Sequence, residues 1–248
     1  MKANIKAALK ALNVYQPASR AWIAAEPRLI RITRGMTRRN QRLVANYLAT
    51  GSPRKLQIGC GDNELAGWLN TELCPRGTQI FLDATKPFPF DDNVFAFIYS
   101  EHMIEHIALR DAEAMLSECF RVMAPGGTIR IVTPDLEFLT TLLSTPPPPV
   151  LRDYIAYSID EHHIHAQGPE GIAVFNHFVR AWGHQYIHTP ASLGTLMARA
   201  GFDQLQRCGL NDSAHAELSG LAKTDRMPPG FVEMESFVLE GRKPGPRA

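Results

Sequence analysis

Short apolar runs and longer amphipathic stretches alternate through the middle of this chain, each bounded by turn residues. Lys55 to Ile58 is a brief strand-like run that ends in Gly59, Cys60 and Gly61. Val94 to Tyr99 is apolar, aromatic and β-branched and follows the turn-like Phe90, Asp91, Asp92 and Asn93, so it predicts a buried strand. From Arg110 to Met123 the apolar positions Ala114, Met115, Cys119, Phe120 and Met123 recur at helical spacing among charged residues. Pro125, Gly126 and Gly127 end that helix, and Thr128 to Thr133 reads as the next strand. Pro134 and Asp135 open a further helix near Leu136, as a first-turn proline and a capping acid would. Thr189 to Gly201 predicts a helix, and Asp203 to Cys208 and Ser236 to Glu240 predict strands. This alternation favours right-handed crossovers and a parallel sheet, whose ligands sit outside the carboxyl ends of the strands. Those ends are Gly59 to Gly61, Glu72, Asp83, Ser100 to His102, and Thr133 to Asp135.

The two glycines suit a turn that must take positive φ and let a ligand approach the backbone. Four ordered motifs then carry a resemblance: IGCG at 58–61, GWLNTEL at 67–73, FLDATKPFPFDDNVFAFIYSEHMIEHI at 81–107 and ECFRVMAPGGTIRIVTPD at 118–135. In these the chain resembles class I S-adenosylmethionine-dependent methyltransferases of the type 11 kind, in a compact Gly-Cys-Gly branch. The resemblance implies an α/β, Rossmann-like, doubly wound sheet of seven strands, mostly parallel with an antiparallel last strand. It also implies S-adenosylmethionine as cofactor and S-adenosylhomocysteine as product. Ile58, Gly59, Cys60 and Gly61 would pass under the methionine part, and Glu72 with Leu73 would meet the ribose hydroxyls. Asp83 and Ala84 would lie at the adenine, and Ser100, Glu101 and His102 would floor the site near the reactive methyl. Two departures stand out. Gln57 occupies a position where many relatives carry an acid, and Glu72 follows Gly61 by only eleven residues. The first crossover is therefore expected to be a loop or a single turn.

Charge divides the chain unevenly. Residues 1–55 hold twelve Lys and Arg against the single acid Glu26, so the remainder is net acidic although the whole carries +1. Lys2, Lys6 and Lys10 beside Ile5, Leu9 and Leu12 read as a short basic amphipathic helix. Residues 1–50 thus form a basic helical arm, suited to the protein's own acidic surface, an acidic substrate or an anionic surface. No nucleic-acid motif accompanies the charge. Cys60, Cys74, Cys119 and Cys208 are scattered without a C-x-x-C pair, which fits a reducing compartment. No apolar run reaches the ~18 residues of a membrane span and no secretory signal is expected, so the expected location is the cytoplasm.

Residues 51–248 are then one methyltransferase domain, with 146–190 as a lid or substrate insert. Pro146 to Pro149 favours a stiff extended entry to it. The insert holds His162, His163, His165, His177, His184 and His188, six of the nine histidines. With Asn176, Trp182 and Tyr186 these suit a polar-aromatic pocket, a metal site or ordinary loop positions. The expected acceptor contacts are His163, Asn176, His177 and Tyr186, for a small molecule or saccharide methylated on oxygen or nitrogen, and no metal ligand set is assigned. Candidates for a general base are Glu105, His106, Asp135 and His184. Three other functions compete. A protein that only binds the cofactor is one. A zinc hydrolase is another, because His102, Glu105 and His106 match H-x-x-E-H. A nicotinamide dehydrogenase is the third, but Glu64 stands where its third glycine belongs.

Overall fold

The computed structural model describes residues 38–50, 52–166, 168 and 170–245. The basic helix expected at Lys2 to Leu12 lies outside them. The described elements run α1 (Arg38–Ala49), β1 (Lys55–Ile58), β2 (Leu69–Glu72), β3 (Ile80–Phe81), β4 (Phe95–Glu101), a 3-10 turn (Ile104–His106), α2 (Leu109–Val122) and β5 (Met123–Pro134). They continue with α3 (Leu136–Thr141), α4 (Pro149–His162), α5 (Glu170–Arg180), α6 (Pro190–Ala200), β6 (Asp203–Cys208), α7 (Phe231–Glu235) and β7 (Ser236–Arg242).

The seven strands form one sheet in the order β3-β2-β1-β4-β5-β7-β6. All neighbours pair parallel except β7, which runs antiparallel to both β5 and β6. The chain therefore winds outward from β1 to β3, then returns to lay β4 on the other side of β1. The crevice at that reversal is where such sheets bind ligands. The first crossover contains no helix, as the short spacing predicts. Gln57 and Asn70 hold it instead: Gln57 Nε2 donates to Asn63 O at 2.9 Å, and Leu65 N–H donates to Asn70 Oδ1 at 2.9 Å. A carboxylate at position 57 has no proton to donate to Asn63 O, which explains the amide there.

Alternation along the strands sorts side chains onto two faces. Ile98, Ile129, Ile131, Phe237 and Leu239 join the cluster under α1, α2 and α6, while Tyr99, Val132 and Val238 join a second cluster with Trp68, Leu210 and Leu218. Ala112, Met115, Leu116, Cys119 and Val122 are the buried stripe of α2, the helical period read from the sequence. Helix α6 opens with a reciprocal capping box between Thr189 and Ser192 and closes at Gly201, φ 110°. Residues 38–49 of the arm form α1, which docks on the edge strand: Phe81 N–H donates to the buried Asn40 Oδ1 at 2.9 Å.

The expected extended entry to the insert reaches to Pro148, φ −54° and ψ 155°, and a helix follows it. Pro148 caps and Pro149 starts helix α4, because a proline at the first helical position loses no hydrogen bond. Helices α3, α4 and α5 then bury Leu139, Leu142, Tyr154, Ile155, Val174 and Phe178 in a third cluster of their own. Among the described residues, no helix is long and apolar enough to cross a membrane.

Candidate functional site

Two adjoining features occupy the carboxyl rim of the sheet. The first is the glycine bend after β1. Gly59 and Gly61 take φ of 67° and 51°. Gly61 is held from both sides: its N–H donates to Glu72 Oε2 at 2.9 Å, and its carbonyl accepts from Gln79 Nε2 at 2.8 Å. Glu72 Oε1 accepts from Leu73 N–H at 2.8 Å. Space is open where a Cβ at Gly61 would stand, whereas the Met103 side chain covers Gly59. Cys60 is buried, and burial together with Glu72 and Glu64 pushes its thiol up to about 12, so it is no nucleophile.

Asp83 is buried just past β3, its Oδ1 accepting from Thr85 N–H at 3.1 Å and Thr85 Oγ1–H at 2.7 Å, with Ala84 partly buried beside the core. Ser100 ends β4, opposite Ile58 and Ile131 in register; its Oγ is buried and finds no hydrogen-bond partner. The bend, Glu72, Asp83 and Ser100 thus stand at the ends of four neighbouring strands. Ile58 closes β1 beneath them, 2% exposed. An adenosyl sulfonium fits this donor set, with a glycine cradle, a carboxylate at the second strand and an unsatisfied buried hydroxyl. Glu101 instead bridges outward, accepting from Lys223 N–H at 3.0 Å and Asn63 Nδ2 at 3.5 Å.

The second feature is a cleft of about 270 Å³ directly after β4, lined by His102, Glu105, His106, His162, Trp182 and His184 on one side and by Tyr157, Glu161, Arg226 and Glu235 on others. Met103, which follows His102 of the cleft lining and precedes the turn carrying Glu105 and His106, lies against Gly59 of the bend. Glu105 is fully buried; its Oε2 accepts from Thr133 Oγ1 at 3.1 Å, and its Oε1 faces His102 Nδ1 at 3.2 Å. Burial pushes this carboxyl up, yet His102 and His106 outweigh it and hold it below the ordinary value. His102 takes φ 47°, and its Nε2 faces Arg226 and, at 3.2 Å, Ser236 Oγ.

His184 stands edge-on to His106, with ring centroids 4.9 Å apart. Its Nδ1 lies 2.7 Å from Phe178 O. A carbonyl only accepts, so Nδ1 carries the proton and Nε2 the lone pair. Burial, then His106, lower the His184 pKa, which keeps the imidazole neutral at pH 7. Trp182 and Gly183 carry φ of 54° and 85° and turn the chain so that His184 enters the cleft. That loop is fastened to the opposite wall. Gln185 N–H and Tyr186 N–H donate to Glu105 O at 2.8 and 3.2 Å, and Gln185 Nε2 donates to His106 O at 2.7 Å.

The structure gathers Glu105, His106 and His184 of the four base candidates and leaves Asp135 elsewhere. Asp135 caps α3 through Glu137 N–H at 2.9 Å and pairs with Arg207 at 3.1 Å. Of the expected acceptor contacts, His177 stacks on His162 at 5.5 Å and meets Trp182 at 5.1 Å, just behind the cleft wall. Tyr186 packs on the His188 ring at 4.7 Å. His163 is the exposed left-handed cap of α4, and Asn176 is exposed on α5 with its Nδ2 on Ile172 O; neither lines the cleft. His162, Tyr157, Glu161, Arg226 and Glu235 do line it. Nothing in the sequence signalled Arg226, in the irregular chain after β6, or Glu235, which ends the short helix α7 before β7. The H-x-x-E-H reading fails on geometry. Its first histidine precedes the 3-10 turn in a left-handed conformation, so His102 and His106 do not share a helical face as that zinc motif requires.

Residues 32–207 match a family model described as a methyltransferase domain. Among solved structures, an S-adenosylmethionine-dependent methyltransferase of Thermotoga maritima is similar at 17% identity and a TM-score of 0.45, over 90% of this chain and 97% of the other. Another from Archaeoglobus fulgidus is similar at 15% identity and a TM-score of 0.47, over 82% of this chain and 92% of the other. No curated protein sequence matches the chain.

Proposed function

This chain belongs to the methyltransferase-domain family, and from that premise we propose that it moves a methyl group from S-adenosylmethionine to an oxygen or nitrogen of a small-molecule or saccharide acceptor. When bound, the cofactor supplies an electrophilic methyl on a sulfonium, and its transfer returns the C–S electron pair to sulfur as S-adenosylhomocysteine. The residues suited to hold it are Gly61, Glu72, Asp83 and Ser100, at the ends of β1 to β4. Each oxygen of Glu72 accepts one backbone N–H and keeps capacity for a hydroxyl.

The observation that carries this reading is the turn after β4. Its Met103 lies against Gly59 of the bend, while its neighbours His102, Glu105 and His106 line a cleft rich in imidazole and carboxylate. An acceptor seated in that cleft is held by the same turn that packs on the bend, and alignment of reacting groups accounts for effective molarities of ~10⁵–10⁸ M in intramolecular reactions. Its attacking atom forms the new bond to the methyl carbon and must give up a proton. Glu105, His106 and His184 are basic groups lining the cleft, and Trp182, Phe178 and Tyr157 supply apolar surface against water.

Calorimetric titration with S-adenosylhomocysteine tests the cofactor half. Asp83→Asn and Glu72→Gln are each expected to weaken binding by about tenfold or more, the scale of one charge-assisted hydrogen bond, with thermal melting near that of the parent. Absence of any binding heat from the parent protein would defeat the proposal. Incubation with methyl-tritiated S-adenosylmethionine and cell extract identifies the acceptor through the labelled product.

A further inference from the structure

Glu105, His106 and His184 each offer one ligand atom, and those atoms lie within 4.8 Å of one another. We infer that this trio binds a divalent transition cation of the zinc and iron class, which presents a hydroxyl oxygen of the acceptor for methylation. The inference rests on the acceptor cleft proposed above and narrows its substrate to alcohols. Two donors on one tetrahedral ion stand about 3.4 Å apart, given metal–nitrogen and metal–oxygen distances near 2.1 Å. Side-chain rotations draw the trio together to close on the ion.

Three features beyond spacing fit a cation. The His184 Nδ1 proton is engaged by the Phe178 carbonyl. That is the arrangement in which a backbone acceptor fixes the tautomer of a ligating histidine and leaves Nε2 for the metal. The Glu105 carboxylate is fully buried beside both imidazoles, and its Oε1 faces the His102 ring at 3.2 Å. A dication adds positive charge beside a carboxylate that burial has cut off from water. The loop carrying His184 is also fastened to the backbone of both other donors through Gln185 and Tyr186. The ligands are therefore held by hydrogen bonds independent of any ion. Two imidazoles and one carboxylate suit zinc, iron or cobalt better than magnesium or calcium, which prefer oxygen alone.

The acceptor class follows from lone-pair counting. An amine bound to a cation spends its only lone pair on the metal and cannot attack. A hydroxyl bound to a dication becomes more acidic, loses its proton to water rather than to the three ligating side chains, and still has a lone pair for the methyl carbon. The new O–C bond forms as the C–S bond breaks, its pair passing to sulfur. His102 takes no part as a ligand, since its Nε2 is engaged by Arg226 and Ser236.

The test uses the full chain, stripped with chelator, dialysed and titrated with Co²⁺ alone. One Co²⁺ per chain is expected, with visible d–d absorption of an N/O site. Affinity should fall by at least about 10- to 100-fold in His184→Ala and in His106→Asn, since loss of an outer-shell partner alone costs that much. His106 is half-buried, so its variant remains informative if the buried Glu105→Gln does not fold. His163→Ala, exposed and outside the cleft, should bind as the parent does. No Co²⁺ binding, or binding untouched by both cleft variants, overturns the inference. S-adenosylhomocysteine heat measured on the stripped protein separates the two readings. Heat without Co²⁺ binding removes the cation and spares methyl transfer, while Co²⁺ binding without heat does the reverse.

Discussion

His188 shows how one residue in this chain ties its environment to pH. It is fully buried against Tyr186, with Nε2 lacking a hydrogen bond and Nδ1 only 3.4 Å from Ser192 Oγ. Burial lowers its pKa to about 4, against a smaller opposing pull from Glu105. Above pH 6.5 the ring is neutral whether folded or unfolded and contributes no pH dependence. As pH falls from 6.5 to about 4, the unfolded chain takes up a proton that the folded chain refuses, so stability drops. The full loss is about 3 kcal/mol. Urea denaturation at stepped pH should show this decline, and His188→Gln should flatten it. Arg130 is a second buried group with a large effect. It is fully enclosed, donating to Glu240 at 2.6 Å and to the carbonyls of Gly209, Leu210 and Asp212. Arg130→Met leaves Glu240 buried without its partner and should cost about 3–5 kcal/mol, measured by denaturant unfolding. Adding Glu240→Leu should recover part of it. The sequence shows Arg130 only as a charge inside an apolar strand; its partners come from β7 and the chain after β6.

Elements were legible where their causes are local. The α2 stripe, the Asp135 cap, the Thr189 and Gly201 ends of α6 and the glycine bend all follow from residues within a few positions of each other. The proline run reads as a stiff extended entry to the insert, and its last member, Pro149, opens α4 at no hydrogen-bond cost. What fixes α4 and α5 is mutual packing in a cluster that no local pattern encodes. Gly171 marks this contact: a Cβ there would collide with the Leu142 carbonyl at the end of α3. Gly171→Ala should therefore destabilise the protein by about 1–3 kcal/mol, the usual cost of overpacking. Measured by urea unfolding, a change below the experimental error would show that α5 shifts freely on α3.

At the scale of the molecule, the candidate site is assembled from the turn after β4, the helices of the insert, the loop after α5 and the chain between β6 and β7. If the cofactor binds only the folded chain, S-adenosylhomocysteine at 100 times its Kd should raise stability by about 2.7 kcal/mol, read as a higher melting temperature. No shift alongside clear binding heat would show that the unfolded chain binds as well. The sequence alone determined the parallel α/β sheet, the bend at its first strand and the acids that follow it, because hydrophobic period, glycine and capping chemistry act over a few residues. Which histidines meet, which carboxylate loses its solvent and which arginine reaches them were decided only by tertiary structure. Those contacts join positions such as His102 and Arg226, separated by most of the domain, and only the folded sheet brings them within reach.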